Sequence, residues 1–389
     1  MKHTHFFGKR RWLLPFLLLL ICALIIPVAA EESSPSVEER VPDGFSGVLD
    51  ALPEELRQTL PEELFGESTE EVREGVQRIG SFSYLLRTSL SLLGASLDDC
   101  LALLASTLGL LLISAIVNAL REDLPGEGAK KSFAFLASLM ILLLLVREGW
   151  EGIQELALYF ERLNALTAAL LPLTGTLYAI GGNLTAGAAS SAGLSIFMTL
   201  MEEVVGKSIL PFCGICLAFA MISSLEPTPR IGSFLGTLKK NYTTMLAFLM
   251  MVLNTVLATQ TSLSARGDSL AVRSARFAAG NLIPVIGGSV TELLRSVGVG
   301  LGYLRGTVGI AALLLILLTM LPTLLKLYAF RLMWQLSASF AELLGCSGER
   351  RLFEEFASLN GYLIAAVLIC SSVLILSLVL LVRCTVALA

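Results

Sequence analysis

The stretch Phe277-Ala-Ala-Gly-Asn-Leu-Ile-Pro-Val-Ile-Gly-Gly-Ser-Val290 is apolar enough to sit in a membrane, yet it contains Gly280, Asn281, Pro284, Gly287 and Gly288, which together interrupt a helix. Lipid cannot hydrogen-bond the N–H and C=O groups that such a break frees. Non-helical backbone at membrane depth therefore persists only inside protein or beside a water-filled cavity. The stretch predicts a re-entrant or kinked element, with Asn281 turned to other helices or to a polar path.

The surrounding chain supports a membrane setting. Its 389 residues are 55% hydrophobic and only 15% charged, with a mean hydropathy of +0.77. A soluble domain does not carry that composition, so the expected class is an all-α polytopic membrane helix bundle. The net charge of −4 is unevenly spread: residues 31–99 hold sixteen acidic and five basic residues. There is no long basic run, which argues against nucleic acid as a partner.

Three regions are expected. Residues 1–30 read as a cleavable signal peptide: Lys2, Lys9, Arg10 and Arg11 precede an apolar core, and Val28-Ala29-Ala30 supplies the small residues of a cleavage site. Residues 31–96 read as an acidic, largely solvated extracytoplasmic arm. In it Leu52-Pro53-Glu54-Glu55-Leu56 is echoed by Leu60-Pro61-Glu62-Glu63-Leu64, and proline followed by two glutamates marks a helix start. Residues 97–389 read as the transmembrane domain.

In that domain the apolar runs Cys100–Ala119, Ser132–Val146, Leu163–Ile180, Ile209–Leu225, Asn241–Gln260, Thr307–Leu325 and Gly361–Val382 are expected spans. The third is interrupted by Pro172 and Gly175 and followed by Gly181, Gly182 and Asn183. Ala179-Ile180-Gly181-Gly182-Asn183-Leu184 parallels Ala278-Ala279-Gly280-Asn281-Leu282, so a second broken segment is expected here. Corresponding broken segments in two halves point to a transporter-type path, whereas small residues also let helices pack closely. Tyr328 to Leu344 is helical by pattern, either flat on the membrane or continuing the sixth span.

Chemistry-bearing motifs are few. Arg305, Lys326 and Arg383 flank spans and are expected to snorkel toward water. Cys213-Gly-Ile-Cys216 has a redox or zinc spacing, but the two histidines are His3 and His5 in the leader, so packing is expected of the cysteines. There is no GxxxxGK[ST] loop and no HExxH. No catalytic, cofactor or metal residues are assigned, and the chain is expected not to be an enzyme.

The signal, the acidic arm with its LPEEL-type segments, the spans, and above all the segment Arg273 to Glu292 with its GN…PV…G core resemble the stage III sporulation protein AE family of endospore-forming bacteria. The resemblance implies a subunit of a channel or secretion-like complex in the mother-cell membrane that surrounds the forespore. It implies membrane and ring-forming partners and a cytosolic ATPase, acting directly or indirectly. The broken segments leave a second class open, a stand-alone secondary transporter for a small solute.

Overall fold

The computed structural model describes residues 40–120, 127–225, 229–282 and 287–383. The expected signal peptide lies outside these residues, as do 31–39. Among the described residues the architecture is helical, with one isolated bridge between Arg40 and Ser68.

The arm forms a small helical layer: α1 (Gly44–Asp50), α2 (Glu54–Arg57), a 3-10 turn (Glu62–Phe65) and α3 (Thr69–Gly80). Pro53 and Pro61 stand at the N-caps of the two short turns, one residue before the expected first helical position. Ser68 and Glu71 form a capping box at α3, an arrangement that stabilises a helix by about 1 kcal/mol. The glutamates are mostly exposed, as expected. The apolar residues between them are not solvated: Phe45, Val48, Leu56, Leu64, Val72 and Ile79 are buried. The arm is also docked on the bundle. A Cβ on Gly44 would lie 3.2 Å from the Leu173 backbone, and Tyr303 Oη donates to Glu70 Oε2 at 3.0 Å. Farther along the chain, Tyr84 donates to the Thr59 carbonyl at 2.8 Å, and burial pushes its hydroxyl pKa up.

The bundle consists of α4 (Phe82–Leu120), α5 (Glu127–Ile180), α6 (Leu184–Leu200), α7 (Lys207–Leu225), α8 (Pro229–Leu282), α9 (Gly287–Leu343) and α10 (Ser347–Arg383). α4 runs unbroken through the expected boundary at residue 96. Among the described residues, six helical stretches are long and apolar enough to cross a membrane: Cys100–Val117, Ala157–Ile180, Leu184–Ser224, Gly232–Ser274, Leu301–Leu343 and Ser347–Arg383. α5 and α8 each have 54 residues and α9 has 57. At ~1.5 Å per residue such helices reach about 80 Å, far beyond a hydrocarbon core of roughly 30 Å.

The expected span list changes in two places, and at Tyr328 to Leu344 one of the two stated alternatives is observed. Ser132–Val146, the connector after it and Leu163–Ile180 are one helix, α5, and Pro172 does not break it. Proline removes one backbone donor but not the helix when packing holds its two sides. Residues 184–200 continue into the expected fourth span: α6 runs into α7 through a single π-helical turn, Met201–Gly206, so 184–225 is one helical stretch. Tyr328 to Leu344 continues α9, which contains Pro322.

α10 is the central helix. It packs against α5, α6, α7, α8 and α9, and residues such as Leu352, Phe356, Val367, Cys370, Leu374 and Leu378 are buried along its length. Two tight hairpins shape the bundle. α6 folds back on α5, and a Cβ on Gly187 would lie 3.0 Å from Tyr178 Cβ. α10 folds back on α9 through Gly345 (φ 74°).

Replacing Gly187 by valine is expected to lower the thermal unfolding midpoint of the purified protein, costing about 1–3 kcal/mol by overpacking the α5–α6 seam. Gly47 has open space around it, so Gly47→Ala is expected to leave the midpoint unchanged or to raise it by up to about 0.5–1 kcal/mol. An undiminished midpoint for Gly187→Val would show that the seam is not close-packed.

Candidate functional site

In the first half the helix ends at residues 181–183, between the stretches Ala157–Ile180 and Leu184–Ser224, and not at Pro172 or Gly175. α5 closes with a Schellman arrangement: Gly182 (φ 75°) donates to the Ala179 carbonyl at 3.0 Å and Asn183 donates to the Tyr178 carbonyl at 2.9 Å. A positive φ of this kind favours glycine, which explains Gly182. Asn183 is fully buried, and its side-chain amide donates to the Gly181 carbonyl at 3.4 Å. It faces protein, as an amide in an apolar setting must. Pro172 lies within α5, where Thr176 Oγ1 donates to its carbonyl at 3.1 Å. Gly175 lies on the α5 face that meets α6, with Ser191 Oγ 3.8 Å from its Cβ position.

Two charged side chains from other helices complete the break. The first N–H groups of α6 have no partners within the helix, and Asp268 of α8 supplies one. Its Oδ2 accepts from Thr185 N and Ala186 N, both at 3.0 Å, and its Oδ1 accepts from Thr185 Oγ1 at 2.5 Å. A carboxylate at a helix N-terminus satisfies orphan donors and complements the helix dipole. On the other side, Arg305 of α9 is only 3% exposed, and its Nη1 lies 2.8 Å from where a Cβ on Gly181 would be. Gly181 is therefore the residue that lets the guanidinium reach the turn. Arg305 does not snorkel as expected. It belongs to the protein interior.

A second charged cluster lies farther down the bundle. Lys239 of α8 forms an ion pair with Glu355 of α10, and their side chains are 3% and 25% exposed. Lys239 Nζ also donates to Ser358 Oγ at 3.0 Å and lies 5.9 Å from the Tyr362 ring centre. Near the start of α10, Glu349 is buried and accepts from Ser114 Oγ of α4 at 2.5 Å. Between these clusters and the break run the pairs Tyr159–Ser371 at 2.6 Å, Asn254–Ser372 at 3.1 Å and Ser190–Ser377 at 3.5 Å. Polar contacts thus mark much of α10.

Asp268, Lys239, Glu349 and Glu355 are not among the residues that sequence patterns singled out. A signal was present. Leu235, Lys239, Leu246, Met250, Leu253 and Leu257 recur at helical spacing and are all buried, so Lys239 occupies an apolar stripe. Arg305 does the same in the row Val308, Ala312, Leu315 of α9.

The second broken segment is described only in part. Gly280 and Asn281 fall in the last turn of α8, and Gly287 and Gly288 open α9. Pro284 lies outside the described residues, and so do the side chains of 275–300. Among the described residues no cluster of His, Cys, Asp or Glu is arranged for a metal. Cys213, Cys216 and Cys370 are buried thiols packed in the bundle.

Long apolar helices, polar groups paired across several helix interfaces and a docked acidic layer define a polytopic helical membrane protein. A family model of stage III sporulation protein AE matches residues 65–385, and the chain belongs to that family. It is 23% identical over 332 residues to stage III sporulation protein AE of Bacillus subtilis (strain 168), covering 84% of this chain and 79% of the relative. No solved structure matches.

Lys239→Ala is expected to destabilise the protein by about 3–5 kcal/mol in denaturant or thermal unfolding, because Glu355 is left unpaired in a bundle interface. The double substitution Lys239→Met with Glu355→Met is expected to recover most of that loss. A double variant no more stable than Lys239→Ala alone would show that the two groups are not coupled.

Proposed function

We propose that this chain is a membrane-embedded subunit of a channel or secretion-like complex in the mother-cell membrane around the forespore, and that it supports late forespore development. Membership of a stage III sporulation family across residues 65–385 is the observation that carries this reading. The chain acts here without catalysing a reaction. Its described intramembrane polar groups are largely engaged in helix-to-helix contacts, such as Lys239–Glu355, Ser114–Glu349 and Asp268 with α6. That chemistry suits a rigid structural element better than a reaction centre.

The partners in this reading are other membrane and ring-forming proteins of the same complex, with a cytosolic ATPase acting directly or through them. The arm supports an extracytoplasmic docking role. Arg40, Arg57, Arg73 and Arg78 are paired with Glu67, Asp50, Glu70 and Glu63 respectively. Asp43, Glu54, Glu62 and Glu74 are exposed as well. A surface whose arginines are already neutralised presents a net negative field, which favours and steers basic partners.

Deleting the gene is expected to arrest spore development after engulfment, scored by microscopy and heat-resistant spore counts. Normal spores from a clean deletion would overturn the reading. Solute uptake into liposomes by the purified chain alone would favour a stand-alone transporter. For orientation, a cysteine introduced as Gly47→Cys is expected to react with a membrane-impermeant maleimide in intact cells. Labelling only after permeabilisation would place the arm inside.

A further inference from the structure

A small pocket of about 220 Å³ lies between α8 and α10, lined by Thr261, Ser262, Arg266 and Ser269 of α8 and by Arg383 at the end of α10. Its position is set by the two apolar runs. The run ending at Gln260 stops one residue before Thr261, and the run ending at Val382 stops one residue before Arg383. The pocket therefore sits toward the ends of both apolar stretches, with Arg266 eight residues before the end of Gly232–Ser274 and Arg383 at the end of Ser347–Arg383. That is the depth at which phospholipid headgroups and aqueous anions meet a membrane protein.

Its chemistry is that of an anion site. Among the described residues neither Arg266 nor Arg383 makes an ion pair. The carboxylate two residues from Arg266, that of Asp268, is engaged with the N–H groups of α6. A guanidinium presents a planar fork of donors that matches a phosphate oxygen pair.

Thr261 supplies an independent observation. Other threonines of α8 turn their hydroxyls back onto the helix: Thr243 to the Lys239 carbonyl at 3.0 Å, Thr255 to Met251 at 2.8 Å and Thr259 to Thr255 at 2.8 Å. This is the usual resting place of a threonine hydroxyl in an apolar helix. Thr261 departs from it. The residue is 2% exposed, and its Oγ1 is buried without a hydrogen-bond partner. A buried hydroxyl left unsatisfied costs free energy, so it points to a group that completes it.

We propose that this pocket binds a phosphate group, held by Arg266 and Arg383 with the Thr261 hydroxyl as a neutral donor. The phosphate belongs either to an anionic lipid headgroup or to a free phosphate. An occupied pocket ties the upper part of α8 to the end of α10, next to the Asp268 contact that closes the α5–α6 break.

The test uses the full chain purified in neutral detergent. Native mass spectrometry compares retention of added phosphatidylglycerol with that of phosphatidylcholine, and a separate arm compares the unfolding midpoint in inorganic phosphate and in chloride at equal ionic strength. Lipid as the source predicts preferential retention of phosphatidylglycerol. The Arg266→Gln, Arg383→Gln double variant weakens it about tenfold or more, the scale expected for losing charge-assisted hydrogen bonds. Thr261→Val keeps the shape of the side chain and is expected to weaken retention by about threefold, the scale of one neutral hydrogen bond. Free phosphate as the source predicts a raised midpoint in inorganic phosphate that the double variant loses. Circular dichroism and size-exclusion profiles identify variants that have simply failed to fold, and Thr261→Val remains informative if the double variant does. Equal retention of the two lipids with no phosphate-dependent shift would overturn the proposal. So would responses to phosphatidylglycerol and phosphate that survive unchanged in folded variants.

Discussion

Lipid tails offer no hydrogen bonds, so a polar group that enters the bundle is stabilised chiefly by partners on other helices. That constraint accounts for the arrangement around α10. The helix collects Ser114 through Glu349, Lys239 through Glu355, and Tyr159, Asn254 and Ser190 through serines 371, 372 and 377. The five pairs join α10 to α4, α5, α6 and, twice, α8. Apolar side chains pack on either side of these contacts but do not by themselves distinguish one helix register from another. Polar pairs do, because a shift of one residue leaves both members unsatisfied.

The same constraint explains the α5–α6 break. Ending a helix inside a membrane protein exposes carbonyls at one end and N–H groups at the other. Here the carbonyl end is closed locally by the Schellman turn at Gly181 to Asn183. The N–H end is closed from a distance by Asp268. Arg305 then brings a positive charge against the turn. The break is thus built from one local device and two side chains that lie far away in sequence. It unites α5, α6, α8 and α9 at the end of the bundle where the acidic arm docks through Gly44 and Glu70.

Much of this was legible in the residues. Helical class and a membrane setting follow from composition, and a helix end near Gly182 follows from glycines in an apolar run. The length of the helices was not legible. Pro172 looks like an interruption, yet it lies inside a helix, because proline costs one hydrogen bond while packing on both sides preserves the helix axis. The arm's composition suggests a largely solvated segment because glutamates dominate it. Its leucines and valines recur at helical spacing and form a core beneath them.

The sequence by itself determined that this chain is a bundle of apolar helices with an acidic layer before it, since hydrophobic run length and charge distribution act locally. It also determined where a helix had to end, since Gly182 can adopt a positive φ at no steric cost. Only the tertiary structure decided which charges are buried and with whom. Lys239 and Glu355 are 116 residues apart, and Thr185 and Asp268 are 83 apart. Nothing in the local pattern distinguishes a charge that reaches water from one that meets its counterpart across a helix interface. That choice depends on which faces the packed helices turn to one another.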